Sequence, residues 1–295
     1  MNFLVTLLAS LVFVISCAEK KRSASENGNP PPVRYSKDMT RPAVSEPQEA
    51  VFEKEANSSK PLRYRKIDDL RVSASGAFSQ KALRDIRQPS KKIKFDLIIF
   101  DLRQEPHGLV NDQPIAWMAP NNFGSVDLTL DEAIRRERRL LGDLQIGEKI
   151  LNTTIKSIET EESMIRTSGH QYLRFAVTEH LRPVDSEVDR FVEKMATLPE
   201  KTWVHLHDRT GEGRSSMFML MYDFLVSARY LSFEEILEKH RKLGSVDLMK
   251  VGVDTDWNHT FKKERADFIR EFYKYAKENP RGETLTWSQW LKKHP

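Results

Sequence analysis

The chain has 295 residues, 39% of them hydrophobic and 31% charged, enough for one large domain or two small ones. Its 47 basic and 43 acidic residues leave a net charge of +4. That balance is too even for a nucleic-acid-binding protein, so a basic site has to be local.

Taken in chain order, the apolar run from Phe3 to Ile15 is shorter than the roughly 20 residues a spanning helix needs. It fits the core of a signal peptide, giving a first segment of residues 1–17. Val14-Ile15-Ser16-Cys17 resembles the lipobox of bacterial lipoproteins, whose cysteine becomes the lipidated first residue after cleavage. An ordinary secretory signal or an uncleaved anchor is the alternative, because no Lys or Arg precedes the run and Ile15 is bulky. Either reading takes the protein out of the cytoplasm. Lipidation of Cys17 would hold it on a membrane, on the periplasmic or cell-surface side, and leave no free thiol.

From Ala18 to Lys60 the chain is rich in Ser, Asn, Glu, Lys and Pro and lacks apolar periodicity. Residues 18–60 therefore read as a disordered tether. A folded domain is expected over 61–295. Phe95 to Phe100 is a nearly continuous apolar run, as in a strand buried on both faces. Asp131 to Leu144 has the spacing of an amphipathic helix, and short β-branched runs between Gln145 and Ile165 suggest a few strands. Tyr172 to Thr178 reads as another buried strand. Val184 to Leu198 reads as a helix opened by Pro183 and Asp185 and stopped by Pro199. A short strand, Trp203 to His207, then runs through a glycine-containing loop into an apolar helix, Ser215 to Tyr230. Helices near Ser232–Leu243 and Lys262–Glu278 follow, and Trp287-Ser288-Gln289-Trp290 forms a last helix or a flap. Strands alternating with helices indicate an α/β domain with a central, mainly parallel sheet.

The chemistry is concentrated in His207-Asp208-Arg209-Thr210-Gly211-Glu212-Gly213-Arg214-Ser215. A strand feeding a tight loop that opens a helix turns successive N–H groups inward, and the helix adds its positive dipole end. That is an anion cradle, and Arg214 at its end can fork two donors onto phosphate oxygens. His205 and His207 lie two apart on the strand and so face the same side. With Asp208 they have the donor types of a metal site, but no metal is expected here.

Cysteine-dependent phosphatases carry His-Cys-x-x-Gly-x-x-Arg-Ser/Thr at such a loop, and this chain resembles them at His207, Gly211, Arg214 and Ser215. WVHLHDRTGEGRSSMFMLMYD resembles the protein-tyrosine-phosphatase-like phytases in particular. So do RVSASGAFS from Arg71, DLRQEPHGLVNDQPIAW from Asp101 and FAVTEHLRPVDSEVDRF from Phe175. The resemblance runs from Pro61 to Pro295. It implies a phosphatase-like α/β domain with helices flanking the sheet and a small β subdomain beside it.

The resemblance also implies roles. In that family the cysteine thiolate attacks phosphorus in line, and the arginine at the Arg214 position holds the equatorial oxygens. An aspartate in the loop matched by Glu179 protonates the leaving alcohol, and the hydroxyl at Ser215 assists breakdown of the thiophosphate. The histidine matched by His207 orients the loop. The expected ligand is a phosphorylated small molecule, an inositol polyphosphate above all, in a basic pocket, with no cofactor, metal or nucleic acid. Arg209, Thr210, Gly211, Glu212, Gly213 and Arg214 would contact phosphate from the loop, with Arg103, Arg182 and Lys250 as further candidates.

Two residues depart from the family pattern. Glu179 for aspartate is mild, since it can still donate a proton over a slightly longer reach. Asp208 at the nucleophile position is severe. A carboxylate is a weaker nucleophile than a thiolate, and it is larger. Projecting toward the phosphate it would repel it, by about 4 kcal/mol at ~4 Å and an effective dielectric of about 20. Alternatively the carboxylate itself fills the cradle and takes its N–H groups. Aspartyl-phosphate chemistry generally needs Mg²⁺ and further carboxylates, and Asp254-Thr255-Asp256 is a weak match. Two functions follow: a lipid-anchored pseudophosphatase that binds phosphorylated ligands, or a phosphomonoesterase that uses Asp208 or a water with Glu179 as acid.

Overall fold

The computed structural model describes residues 39–46, 48–54, 60–86 and 95–294. The expected signal segment with Cys17, and the tether up to residue 38, lie outside the described residues. Among the described residues no helix is long and apolar enough to cross a membrane.

The chain begins with strands β1 (Glu49–Phe52), β2 (Arg65–Ile67) and β3 (Val72–Ser75), then helix α1 (Gln80–Ile86). Next come β4 (Asp96–Asp101), the hairpin β5 (His107–Val110) and β6 (Gln113–Met118), and helix α2 (Leu130–Gly142). A capping box between Thr129 and Glu132 starts α2, satisfying two of the donors a helix start leaves open. Three two-residue strands follow, β7 (Lys149–Ile150), β8 (Thr153–Thr154) and β9 (Ile158–Glu159), then α3 (Glu161–Thr167). Strands were expected here, but α3 was not. Its single apolar pair, Met164-Ile165, is too short to show a period, while Thr160 caps it by accepting from Ser163 N. The second half comprises β10 (Gln171–Arg174), α4 (Asp185–Ala196), β11 (Thr202–His207), α5 (Gly213–Ser227), α6 (Phe233–Lys242), α7 (His259–Glu278) and α8 (Trp287–Lys293). The C-terminal tail is thus a helix and not a flap. A Thr286–Gln289 capping box opens it, and Trp287 and Trp290 bury its face.

The central sheet has the order β10-β4-β11-β3-β2, with every pair parallel except the edge pair β2–β3. In β11 the six residues TWVHLH are all buried, which is why alternation is absent from its sequence. Helix α5 is apolar on nearly every side and lies inside the domain, with Met217, Phe218, Leu220, Met221 and Phe224 in the main core. Phe100, Phe175, Phe191 and Phe218 pack ring against ring beside it, each fully buried Phe contributing roughly 1.5–3 kcal/mol.

A second, antiparallel sheet, β1-β6-β5-β9, forms the small β subdomain. Its edge strand β1 pairs Glu49 with Met118 and Phe52 with Ile115. Residues 49–52 therefore belong to the fold and correct the expectation of a tether reaching residue 60. Ala50 and Phe52 pack on the cluster of Val110, Ile115 and Trp117. Four residues of strand inside a polar stretch are too few to register as a periodic signal.

Candidate phosphate-binding site

Strand β11 lies between β3 and β4 and delivers Asp208 to the carboxyl ends of the parallel strands, where open α/β sheets bind ligands. The loop is pinned from β3. Thr210 forms a bridge with Gly76, and Ala77 N donates to Arg209 O. Gly211 has φ +77, and a Cβ there would lie 2.6 Å from Gly76 N, so only glycine fits. Gly213 is different: a Cβ there would first meet Arg265 Nη1, at 3.9 Å. Its smallness leaves room beside that guanidinium.

Asp208 is 2% exposed and fills the floor of the loop with its own carboxylate. Its Oδ1 accepts from Thr210 N at 3.0 Å and from Gly211 N, and its Oδ2 accepts from Ser215 N at 2.8 Å. Of the two arrangements open to the sequence, the structure takes the one in which the side chain occupies the cradle. A carboxylate at the start of α5 also meets the positive end of the helix dipole.

Three arginines lie around the loop in different ways. Arg214 is 3% exposed and bidentate to Glu105, at 2.6 and 2.7 Å, and it also donates to Val177 O at 3.1 Å. Burial pushes the Glu105 carboxyl up, but the Arg214 charge and hydrogen bonds outweigh it and hold the pKa at about 2. Arg65 sits behind the loop, 5% exposed. It donates to Gly211 O at 2.8 Å, Ser216 Oγ at 2.9 Å, Ser215 Oγ at 3.2 Å and Ser245 Oγ at 3.1 Å. Burial lowers its guanidinium to about 10, with the Asp208 charge pulling the other way.

Arg265, from α7, stands in front, 9% exposed. Among the described residues it has no ion pair and no hydrogen bond, and its Nε is buried without an acceptor. Burial alone pushes its pKa down. A buried cation without a partner is unfavourable by itself and suits an anion from outside.

Arg265 lines a cavity of about 310 Å³ together with Glu179, His180, Leu181, Asp208, Glu212, Arg214, Val246 and Lys262. Asn122 Nδ2 donates to Glu179 Oε2 at 2.9 Å, and Arg209 Nη2 lies 3.4 Å from Glu179 Oε1. His180, at φ +69, packs edge-on to Trp257 with ring centroids 5.0 Å apart. Burial, helped by the charges of Arg214, Arg265 and Arg209, lowers its pKa against the pull of Glu179, so the imidazole is neutral at pH 7. Lys262 Nζ is 3.7 Å from Asp256 and partly exposed.

Of the expected site residues, Asp208, Thr210, Glu212, Gly213, Arg214 and Glu179 line this cavity, and Arg209 reaches it through Glu179. Ser215 is fully buried, its N–H on Asp208 and its hydroxyl on Arg65. Three candidates are not brought to the cavity. Arg103, 1% exposed, lies among Asp101, Glu53 and Glu161, because the chain after β4 points it between the sheet and α3. Arg182 is buried, bonded to Pro183 O and Asp185 Oδ1 at 3.0 Å each, over the Phe268 ring. Lys250 is exposed on the segment between α6 and α7.

The histidines of β11 are held by protein groups. His205 bonds Ser73 and Ser75 at 2.9 and 3.0 Å, and burial keeps its pKa well below the usual value. His207 Nε2 lies 2.8 Å from Glu161 Oε1, under the tilted ring of Phe78. Donor atoms of Asp101, Glu161 and His207 lie within 4.8 Å of one another. The cation already paired with both carboxylates there is Arg103.

Arg265, Lys262, His180, Asn122 and Arg65 were not found by sequence reasoning. The signal for Arg265 was available. It lies on the apolar stripe of α7, four residues after Phe261 and four before Ile269, where a solvated arginine does not belong.

A helix that opens on a loop at the carboxyl end of a central parallel strand, with a loop arginine clamped by a buried glutamate, defines a phosphate-loop domain of the tyrosine-phosphatase type. The family model for protein-tyrosine-phosphatase-like phytases, described by inositol hexakisphosphate, matches residues 126–226. A PTP-like phytase from Bdellovibrio bacteriovorus is 53% identical, with TM-score 0.81, over 86% of this chain and 98% of that one. The PTP-like myo-inositol phosphatase from Mitsuokella multacida, in complex with myo-inositol-(1,3,4,5)-tetrakisphosphate, is 29% identical with TM-score 0.77, over 86% of this chain and 49% of that one. The effector protein hopD2 of Pseudomonas syringae pv. tomato is 27% identical over 216 residues, 67% of this chain and 46% of that protein. The chain thus spans about half the length of the latter two. It belongs to the PTP-like phytase family.

Proposed function

We propose that the protein is a pseudophosphatase that binds phosphorylated ligands of the inositol polyphosphate class and does not turn them over by thiol chemistry. The observation that carries this is Arg265, a buried guanidinium without a partner among the described residues, on the wall of the loop cavity. Lys262 and Arg209 add cationic groups nearby, and the inositol tetrakisphosphate held by the Mitsuokella relative supports the ligand class. Asp208 is the reason turnover is not expected. It is no thiol, and its two oxygens accept three backbone N–H bonds, which lowers their availability as nucleophiles. In the full-length protein, inositol hexakisphosphate should raise the melting temperature without releasing phosphate, and the Asp208→Cys variant should release it. Absence of a shift with this and other polyanions would remove the binding reading.

One observation favours the second reading, a phosphomonoesterase. Glu179 lines the same cavity as Asp208, where a general acid has to stand. Phosphate release by the native protein that vanishes in Glu179→Gln would establish it.

The membrane tether belongs to the same proposal and rests on the sequence around Cys17 alone. Incorporation of labelled fatty acid that Cys17→Ala abolishes is its test, and incorporation unaffected by that change would refute it.

A further inference from the structure

We infer that Asp208 is a built-in anion that sets the ligand preference of the pocket. It keeps a lone phosphate off the loop floor and moves the bound phosphoryl group outward, to Arg265 and Lys262. The inference rests on the binding reading above and adds where the phosphoryl sits and which ligands are refused.

Three features carry it. First, the floor is taken: the amides of Thr210, Gly211 and Ser215, which an empty loop would offer to an anion, are already bonded to Asp208. Second, the Asp208 charge is matched from behind. Arg65 faces it, buried and with no carboxylate paired to it among the described residues, and four of its hydrogen bonds run to the loop, the start of α5 and Ser245. The Asp208 charge is therefore matched, and three loop amides are taken, before any ligand arrives. Third, the unmatched positive charge has shifted forward. Arg214 is clamped by Glu105 and Arg209 lies against Glu179, while Arg265 has no partner among the described residues.

An anion approaching this site meets the Asp208 carboxylate at the floor and the unpaired guanidinium on the wall. A phosphoryl group lodges on the wall, within reach of Lys262 and of first-turn amides of α5 that have no acceptor inside the helix. One phosphoryl there gains little, because the Asp208 carboxylate lines the same cavity. A ligand with several phosphoryl groups can place one on Arg265 and others on Arg209 and the solvent side of Lys262. Linking the groups makes each further contact intramolecular, which is how weak sites add up to useful affinity. Asp208 thus selects for ligands with several phosphoryl groups over monophosphates.

The experiment is calorimetric titration of the full-length protein, at fixed ionic strength, with orthophosphate and with inositol hexakisphosphate. Wild type, Asp208→Ala, Asp208→Asn and Arg265→Gln are compared. Asp208→Asn keeps the shape and an acceptor oxygen while removing the charge, so it serves if the alanine variant fails to fold. The expected pattern is hexakisphosphate binding by wild type, weakened by Arg265→Gln. Orthophosphate should bind to the neutral Asp208 variants at least about tenfold more tightly than to wild type. Equal orthophosphate binding by wild type and both Asp208 variants, with hexakisphosphate still bound, overturns the inference and leaves the binding reading intact. Failure of every protein to bind hexakisphosphate takes down both. A crystal structure of the wild-type complex gives an independent check. A phosphoryl group on Arg265 with Asp208 still on the loop amides supports the inference, and one on the loop floor with Asp208 swung out overturns it.

Discussion

The two sides of the loop teach different things with the same residue type. Behind it, Arg65 is buried and hydrogen-bonded to Arg63 O, Gly211 O and three serine hydroxyls. In front, Arg265 is nearly as buried and, among the described residues, has nothing. A buried guanidinium whose donors are satisfied is scaffold: its removal strands acceptors and opens a void. One whose donors find no protein acceptor is a cost in the free protein that an anionic ligand relieves. Arg103 and Arg174 extend the first category, since carboxylates of Asp101, Glu137 and Glu161 surround them.

The largest effect belongs to the rear side. Gly211→Ala forces a side chain into the left-handed region and against the Gly76 backbone, so it should destabilise by about 4 kcal/mol or prevent folding. Gly213→Ala, with nothing closer than Arg265 at 3.9 Å, should cost under about 1 kcal/mol. Urea unfolding of the pair decides it, and equal losses would mean the loop is not pinned from β3. Arg65→Met comes next, at about 3 kcal/mol, because it leaves Gly211 O without its buried donor and the Asp208 charge without its nearby guanidinium. A stable Arg65→Met protein would break the distinction between the two arginines.

The two sides also differ in pH response. Glu105, held at about 2 by Arg214 against its burial, has its pKa depressed in the fold. Its contribution, about 3 kcal/mol, is therefore present above the ordinary carboxylate range and lost as pH falls from about 4.5 through 2. Glu53, at the end of β1, behaves oppositely. Burial raises it to about 7, with Arg103 and His107 opposing, so its share of stability is full below about 4.5 and is lost as pH rises through 7. Stability should peak near pH 4.5 and fall from there to about pH 7. Glu53→Gln should flatten the fall between about pH 4.5 and 7 in urea midpoints measured from about pH 2 to 9, and leave the acid limb in place.

How much of this could be read from the sequence follows from what is local. The β11–loop–α5 unit was legible because its strand, glycines, arginine and helix are consecutive, and the same holds for α2, α4, α6 and α7, whose stripes span several turns. Strand β1 and helix α3 were not, being too short for a period. The arginines show the deeper limit. Arg103 lies inside a motif that resembles the family and turns out to be paired and buried, whereas Arg265 looks like one more charge in Lys262-Lys263-Glu264-Arg265 and lines the pocket. Pairing is decided by partners more than forty residues away, such as Glu53 and Glu161 for Arg103. Composition cannot say which arginine will lack one.

The smallest stability effect is the sharpest test of the comparison. Replacing Arg265 by Met removes a desolvated charge that bonds no other described residue and keeps most of its apolar bulk against α5 and the cavity wall. Stability should hold or rise by about 1 kcal/mol, since a buried charge without a partner is traded for a hydrophobe of similar length. Binding of inositol hexakisphosphate should fall by about tenfold, and its salt dependence should flatten as a charged contact is lost. Arg65→Met should do the reverse, lowering stability far more than affinity measured under conditions where the protein remains folded. The pair of opposite outcomes separates a ligand-directed cation from a structural one. If Arg265→Met destabilises as much as Arg65→Met, Arg265 is scaffold, and the positive charge that would attract a ligand is not on the wall of this pocket.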